Sequence, residues 1–179
     1  MASVPDHPDP AASREAILGA GLLSREALAD RCRALQQAGR KIVFTNGCFD
    51  LLHPGHLLYL REARALGDCL VVGLNTDESV RALKGSPRPY QREADRALML
   101  LCLRSVDYVS LFPEPTPLEL IEAVLPDILV KGGDYRPEQV AGREVVVARG
   151  GTVRIMPFHP GYSSSRLIRR IREDSLSGD

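Results

Sequence analysis

Short uninterrupted apolar runs alternate along this chain with longer stretches whose apolar positions recur every three or four residues. That is the pattern of buried strands alternating with amphipathic helices. KIVFT (41–45), CLVVGLN (69–75), YVSLF (108–112), DILVK (127–131) and TVRIMPF (152–158) predict five strands. CLVVGLN is apolar on both faces, which suits a parallel sheet covered by helices on each side. In SREALADRCRALQQAG, Ser24 caps a helix whose stripe is Ala27, Leu28, Cys32 and Leu35, and Gly39 ends it. Residues 54–66 predict a second helix, with Pro54 at its first position and Gly67 past its end. Residues 92–103 place Ala94, Ala97, Leu98 and Leu101 at helical spacing.

Thr116-Pro117-Leu118-Glu119 combines a capping box with proline at the first helical position, so a helix is expected there. The run EVVVARGG (144–151) is β-branched, yet it stands where a crossover helix must precede the fifth strand. It is read as helix. A last helix opens near SSSRLIRRIRE, and no internal repeat is present. Alternating strands and helices give a doubly wound, Rossmann-like α/β fold: a five-stranded parallel sheet with helices on both faces. Residues 1–12, rich in proline and aspartate, are expected to be a disordered tail. A leading helical segment (13–40), one α/β domain (41–172) and a C-terminal tail (173–179) follow.

Composition narrows the function. Lys plus Arg and Asp plus Glu are both 23, so the net charge is zero. A nucleic-acid partner would leave a basic excess, and none is expected here. No apolar run is long enough for a membrane span and the N-terminus lacks a signal-peptide layout, so a cytoplasmic protein without a membrane partner is expected. Cys32, Cys48, Cys69 and Cys102 have no CxxC spacing and are expected to be buried free thiols. No histidine–carboxylate cluster has metal-site spacing, so no metal is expected on protein side chains.

The candidate chemistry lies in TNGCFDLLHPGH (45–56), which leaves the first strand and enters a helix. In a doubly wound sheet, ligands bind outside the carboxyl ends of the strands where strand order reverses. Gly47 permits a tight turn, and the helix N-terminus favours a phosphate. His53 at the helix mouth and His56 in its first turn can face the same anion, and Gly55 leaves room for a polyphosphate. The spacing is neither GxGxxG nor GxxxxGK[ST], so dinucleotide and P-loop readings fail. One histidine as a cap and the other in the core is the structural alternative, and the glycine between two histidines at this place favours function.

HPGH resembles the HxGH signature of the nucleotidyltransferase superfamily, and YSSSRLI its second, serine-rich signature. KIVFTNGCFDLLHPGH, LVVGLNTDESVRALKGSPRPY and PDILVKGGDY are most similar to the adenylyltransferases that activate D-glycero-β-D-manno-heptose 1-phosphate. The likeness covers roughly residues 22–172. Such a unit often forms the C-terminal half of a bifunctional kinase–adenylyltransferase, and a stand-alone form would draw its sugar phosphate from a separate kinase. The resemblance implies that ATP, arriving with Mg²⁺, and a sugar 1-phosphate are the substrates, and that the protein is a homodimer.

It further implies roles for particular residues. His53 and His56 would bond the ATP phosphates, and Lys84 on a mobile loop would bridge the phosphates of both substrates. Read from the residues alone, Lys84 is a solvated loop charge. Arg88 lies near the acceptor, with Asp50 either beside it or bracing the loop. Asn46 and Phe49 would offer backbone groups near the phosphates. Ser163, Ser164 and Ser165 would serve the β- and γ-phosphates, cap the last helix, or both. Arg96 either reaches the nucleotide or is a surface charge. Gly132 and Asp134 of KGGDY either line the nucleoside pocket or form a plain turn. Arg166, Arg169, Arg170 and Arg172 read as a solvated face. Two rivals remain: a cytidylyltransferase acting on glycerol 3-phosphate or another alcohol phosphate, and a non-catalytic nucleotide-binding regulator.

Overall fold

All five apolar runs become strands of one parallel sheet, because their aliphatic residues are covered from both sides. In the computed structural model, which describes residues 10–133, 136–157 and 159–176, the strands are β1 (Ile42–Gly47), β2 (Cys69–Asn75), β3 (Tyr108–Phe112), β4 (Ile128–Gly132) and β5 (Thr152–Met156). Their order is β3-β2-β1-β4-β5, so the chain winds outward from β1 in one direction and then from β4 in the other. Eight α-helices accompany them among the described residues: α1 (Pro10–Gly21), α2 (Arg25–Gln37), α3 (Pro54–Arg64), α4 (Asp77–Lys84), α5 (Glu93–Leu101), α6 (Leu118–Val124), α7 (Arg143–Ala148) and α8 (Ser164–Leu176).

Strand residues alternate between two cores. Ile42, Phe44, Cys69, Val71 and Leu129 meet Leu28 and Cys32 of α2, Leu120, Ile121 and Val124 of α6, and Val146 of α7. Val43, Leu70, Val72, Leu74, Val109 and Val130 meet Leu60 and Ala63 of α3 and Ala97 and Leu100 of α5. Each fully buried aliphatic side chain stabilises the fold by roughly 1.5–3 kcal/mol. The doubly wound architecture expected from the alternation is therefore present, including a helix at EVVVA.

The amino ends of the central strands are fastened by one repeated device. Asp68, Asp107 and Asp127 each stand one residue before a strand. The Asp127 N–H donates to Ile42 O at 3.0 Å while its Oδ2 accepts from Ile42 N at 2.7 Å. Asp107 makes the same pair with Leu70, at 3.0 and 2.7 Å, and Asp68 with Lys41, at 2.8 and 2.9 Å. Register is thus held at the end of the sheet opposite the site.

Several expectations need correction. From Pro10 the chain is helical, so the expected tail ends no later than residue 9, and residues 1–9 lie outside the described residues. α1 leads into Leu23, whose N–H donates to Val109 O at 2.9 Å along the edge of β3. Helix α4 is additional to the expected elements; Thr76 caps it by accepting from Ser79 N at 3.3 Å. Lys84 therefore closes a helix instead of riding a loop. No side chain caps α6, so the box read at Thr116 does not form. Cys102 is exposed, since it is the first residue past α5 and faces a surface groove with Leu57 and Leu98. Cys48 is half-buried.

Replacing Asp127 tests the clamp. In Asp127→Ala the buried Ile42 N–H loses its acceptor, a loss worth about 1–3 kcal/mol. Thermal denaturation should show a fall of roughly 3–10 °C, with a smaller fall for Asp127→Asn. An unchanged midpoint for the alanine variant would show that the clamp does not hold the register.

Candidate active site

β1 and β4 are neighbours in the sheet, yet the chain leaves them toward opposite sides, which opens a crevice at their carboxyl ends. Lys131 Nζ, near the end of β4, donates to Asn46 Oδ1, near the end of β1, at 3.1 Å across that crevice. The cavity there has a volume of about 360 Å³. From the β1 side it is lined by Asn46, Gly47, Cys48 and Phe49, and from the start of α3 by His53, Gly55 and His56. Gly132 and Lys131 line the β4 side, with Tyr162 and Ser163 ahead of α8 and Ser164 at its first position.

The loop after β1 is held in an unusual shape. Phe49 is buried with φ of 44°, a left-handed conformation that costs a non-glycine residue about 1–3 kcal/mol. A Cβ on Gly47 would stand 3.0 Å from the Phe49 ring, so any side chain there would press on that ring. Two buried charges keep the loop in place. Arg96, fully buried, donates to Cys48 O at 2.6 Å, Gln91 O at 3.1 Å and Asp77 Oδ1 at 2.7 Å. Asp50, 2% exposed, pairs with Arg88 and accepts from Tyr90 N at 2.7 Å and Gln91 N at 3.0 Å.

These contacts correct the reading of Arg96 and favour the bracing role for Asp50. Arg96 is neither a surface charge nor placed to meet a nucleotide: its guanidinium is buried against protein acceptors. Asp50 and Arg88 brace residues 88–91 against the loop, and Arg88 also lies over the Tyr90 ring at 5.1 Å. Neither residue lines the cavity. The sequence signal is faint, because a buried arginine on an amphipathic helix looks like any solvated one.

At HPGH, His53 is the N-cap of α3, with Nδ1 accepting from His56 N at 3.3 Å. In its neutral form its proton therefore sits on Nε2. The two imidazoles stack at 3.8 Å and 15° between planes, and Phe49 meets His56 edge-on at 5.2 Å. Gly55 lines the cavity, and a Cβ there would meet Tyr162 Cβ at 2.8 Å and the His53 ring at 3.2 Å, so the glycine also lets these two side chains pack. Ser164 Oγ donates to Leu51 O at 3.1 Å and so joins the starts of α8 and α3. Two helix N-termini with positive dipole ends thereby converge on one cavity.

Burial lowers the pKa of His53. It pushes His56 down to about 4, with His53 adding to the shift. The Leu51 backbone opposes this slightly without meeting His56 Nδ1, which is buried and has no hydrogen-bond partner in the structure. Both imidazoles are neutral at pH 7. Burial also pushes Tyr59 up to about 12, and its hydroxyl bonds Thr45 Oγ1 at 2.6 Å.

The structure thus brings together Asn46, Gly47, Phe49, His53, Gly55, His56, Gly132, Ser163 and Ser164. Ser165 and Lys84 do not line the cavity; both are exposed, although Lys84 is near enough to Cys48 to pull its burial-raised thiol pKa back down. Asp134 lies outside the described residues. Arg166, Arg169, Arg170 and Arg172 are exposed, as a solvated face should be. Sequence reasoning passes over Lys131, Cys48, Tyr59, Tyr162, Pro157 and His159, all of which line the cavity. Lys131 is the detectable one, since it stands at the carboxyl end of an apolar strand. Among the described residues no group of three or more His, Cys, Asp or Glu could hold a metal ion. No helix among them is long and apolar enough to cross a membrane.

A family model described as cytidylyltransferase-like matches residues 44–170. The bifunctional protein HldE of Citrifermentans bemidjiense is 62% identical over 133 residues, 74% of this chain and 27% of that protein. HldE of Actinobacillus succinogenes is 49% identical over 157 residues, covering 88% of this chain and 33% of that one. The chain thus spans about a third or less of the curated relatives it matches. A solved structure titled the lipopolysaccharide core biosynthesis protein from Thermoplasma volcanium is 30% identical, with a TM-score of 0.55 over 68% of this chain and 98% of that one. The pantoate-beta-alanine ligase of Francisella tularensis, 13% identical with a TM-score of 0.58, shares the fold.

The depressed pKa of His56 makes stability depend on acid. The unfolded imidazole takes its proton near 6.5 and the folded one only near 4. Stability is therefore complete above pH 6.5 and is lost as pH falls toward 4, by up to about 3 kcal/mol. Urea titrations at pH 7.5 and 4.5 should show a smaller acid loss in His56→Gln than in the wild type. Equal losses would mean that His56 is not held neutral by the fold.

Proposed function

Because the chain belongs to the cytidylyltransferase-like family of nucleotidyltransferases, we propose that it transfers AMP from ATP to D-glycero-β-D-manno-heptose 1-phosphate. An oxygen of the sugar phosphate attacks the α-phosphorus of ATP as the bond to the β-phosphate breaks. ADP-heptose and pyrophosphate are the products. The observation that carries the reading is the cavity itself: the HPGH pair at a helix N-terminus faces a strand-order reversal, and no described lining residue is a carboxylate. A phosphate acceptor is already an anion at pH 7 and needs no general base. An alcohol acceptor would need one.

Catalysis in such a site consists of placing two anions in line and stabilising charge as it moves to the leaving pyrophosphate. His53 Nε2–H and the buried imidazole of His56 supply donors that need no reorganisation. The starts of α3 and α8, with Ser163 and Ser164, supply backbone dipoles for the leaving phosphates. With no carboxylate among the described lining residues, a magnesium ion would come with ATP and would supply charge neutralisation at the phosphates. Lys84, exposed at the end of α4 and within electrostatic reach of Cys48, would have to move toward the cavity to meet an acceptor phosphate.

The choice of heptose rests on KIVFTNGCFDLLHPGH, LVVGLNTDESVRALKGSPRPY and PDILVKGGDY, all of which resemble heptose 1-phosphate adenylyltransferases. The similarity to HldE and to the protein titled for lipopolysaccharide core biosynthesis supports it. The product would then feed a surface polysaccharide. The family description favours one rival, transfer of CMP to glycerol 3-phosphate or another alcohol phosphate.

Pyrophosphate release across ATP and CTP, each with heptose 1-phosphate and glycerol 3-phosphate, separates the two. ATP with the heptose should be fastest, and CTP slower by at least roughly tenfold, since a mismatched base leaves buried polar groups unpaired. Faster turnover of CTP with glycerol 3-phosphate would reverse the assignment. His56→Ala should lower kcat by about 10²–10³ with little change in ATP binding. Normal turnover in that variant would make His56 a packing residue.

A further inference from the structure

Helix α3 gives the cavity a long axis. His56, Tyr59 and Glu62 follow one another at three-residue spacing, so they stand along one side of that helix. His56 and Tyr59 line the cavity, and Gly132 lies against the Tyr59 ring, where an added Cβ would stand at 3.1 Å. Glu62 meets His159, which comes three residues after β5 and also lines the cavity. His159 Nε2 is 3.3 Å from Glu62 Oε1. At 1.5 Å of rise per residue, Glu62 lies roughly 12 Å along the axis from Pro54, where α3 begins.

The two ends of this axis suit different parts of a nucleotide. The start of α8 is tied to the start of α3 through Ser164 Oγ and Leu51 O, so both dipole ends lie at one end and attract phosphates. Toward the other end, the Glu62 carboxylate beside His159 repels a phosphate. A nucleotide with its phosphates at the helix starts therefore extends its uncharged nucleoside toward His159. That imidazole has bonding capacity the protein does not use. Its Nε2 is buried and, although Glu62 is near, has no aligned hydrogen-bond partner among the described residues. His56 Nδ1 is in the same condition at the helix start. A buried polar atom left unmet is destabilising, and a ligand that meets it recovers the cost.

We propose that His159 reads the nucleoside: its imidazole, steadied by Glu62, hydrogen-bonds an uncharged polar group of the base or ribose and leaves the phosphates to the helix starts. This rests on the nucleotidyltransferase reading. It adds a substrate-contacting residue that lies outside both HPGH and YSSSRLI. The nucleoside does not change during transfer, so the contact is equally strong before and during the chemical step. It therefore serves binding and specificity rather than rate.

Calorimetric titration of AMP, Mg·ATP and Mg·pyrophosphate into wild type, His159→Phe and His159→Gln provides the test. Phenylalanine keeps a ring and removes both nitrogens. In that variant AMP and ATP should weaken by the same factor, roughly threefold to tenfold, while pyrophosphate binds as before. Glutamine, which restores a donor and an acceptor, should recover part of the loss, and it serves as the main variant if His159→Phe does not fold. In turnover the KM for ATP should rise by a similar factor with kcat little changed. A loss that persists with 2′,3′-dideoxy-ATP assigns the contact to the base, and one that vanishes assigns it to the ribose; either supports the proposal. Unchanged AMP and ATP binding, or an equal loss for pyrophosphate, would overturn it. So would a fall in kcat without a rise in KM. A wild type that binds AMP and ATP but releases no pyrophosphate with heptose 1-phosphate would sink the substrate reading and leave His159 standing.

Discussion

The reversal of strand order between β1 and β4 is the constraint on which the molecule depends. Because the chain departs from these strands toward opposite sides, no connection can cover their carboxyl ends, and a crevice must open there. The cavity is lined from the ends of β1 and β4, from the start of α3 and from the segment between β5 and α8. The opposite end of the sheet is free of this duty, and there three aspartates clamp neighbouring strands. Stability and chemistry are thus separated along the strand axis.

The loop between β1 and α3 shows how the fold keeps a strained conformation. Phe49 stays left-handed because its ring is wedged between Gly47 and His56, and because Arg96 and Asp50 hold the backbone on both sides of it. Both buried charges are matched by hydrogen bonds, which is what makes burying them affordable. The consequence is a pair of stacked neutral histidines presented on rigid backbone. An incoming polyphosphate would favour the protonated forms of both imidazoles.

Much of this is legible in the amino-acid chain alone. β2 and β3 match their apolar runs from end to end, since strands buried on both faces leave an unbroken pattern. HPGH is legible because proline and glycine at a helix start have few other uses. α4 is hard to read because only eight residues carry it and its apolar side is narrow, although Thr76, Asp77 and Glu78 are the residues a helix start prefers. Arg96 misleads because its partners Cys48 and Asp77 are distant in sequence, and the contacts of Asp50 with Tyr90 and of Gly55 with Tyr162 are equally non-local. No local pattern records such a contact. Lys131 lies inside PDILVKGGDY, and its meaning emerges only because β4 lies beside β1.

The central claim is that the crevice at the ends of β1 and β4 is a phosphate site whose histidines answer to the ligand. Histidine-resolved NMR titration, with and without saturating Mg·ATP, tests this directly. Nucleotide should raise the pKa of His56 from about 4 toward or beyond the ordinary imidazole value of 6.5, with His53 moving in the same direction. Titration curves for His53 and His56 that do not move when nucleotide is bound would contradict the account.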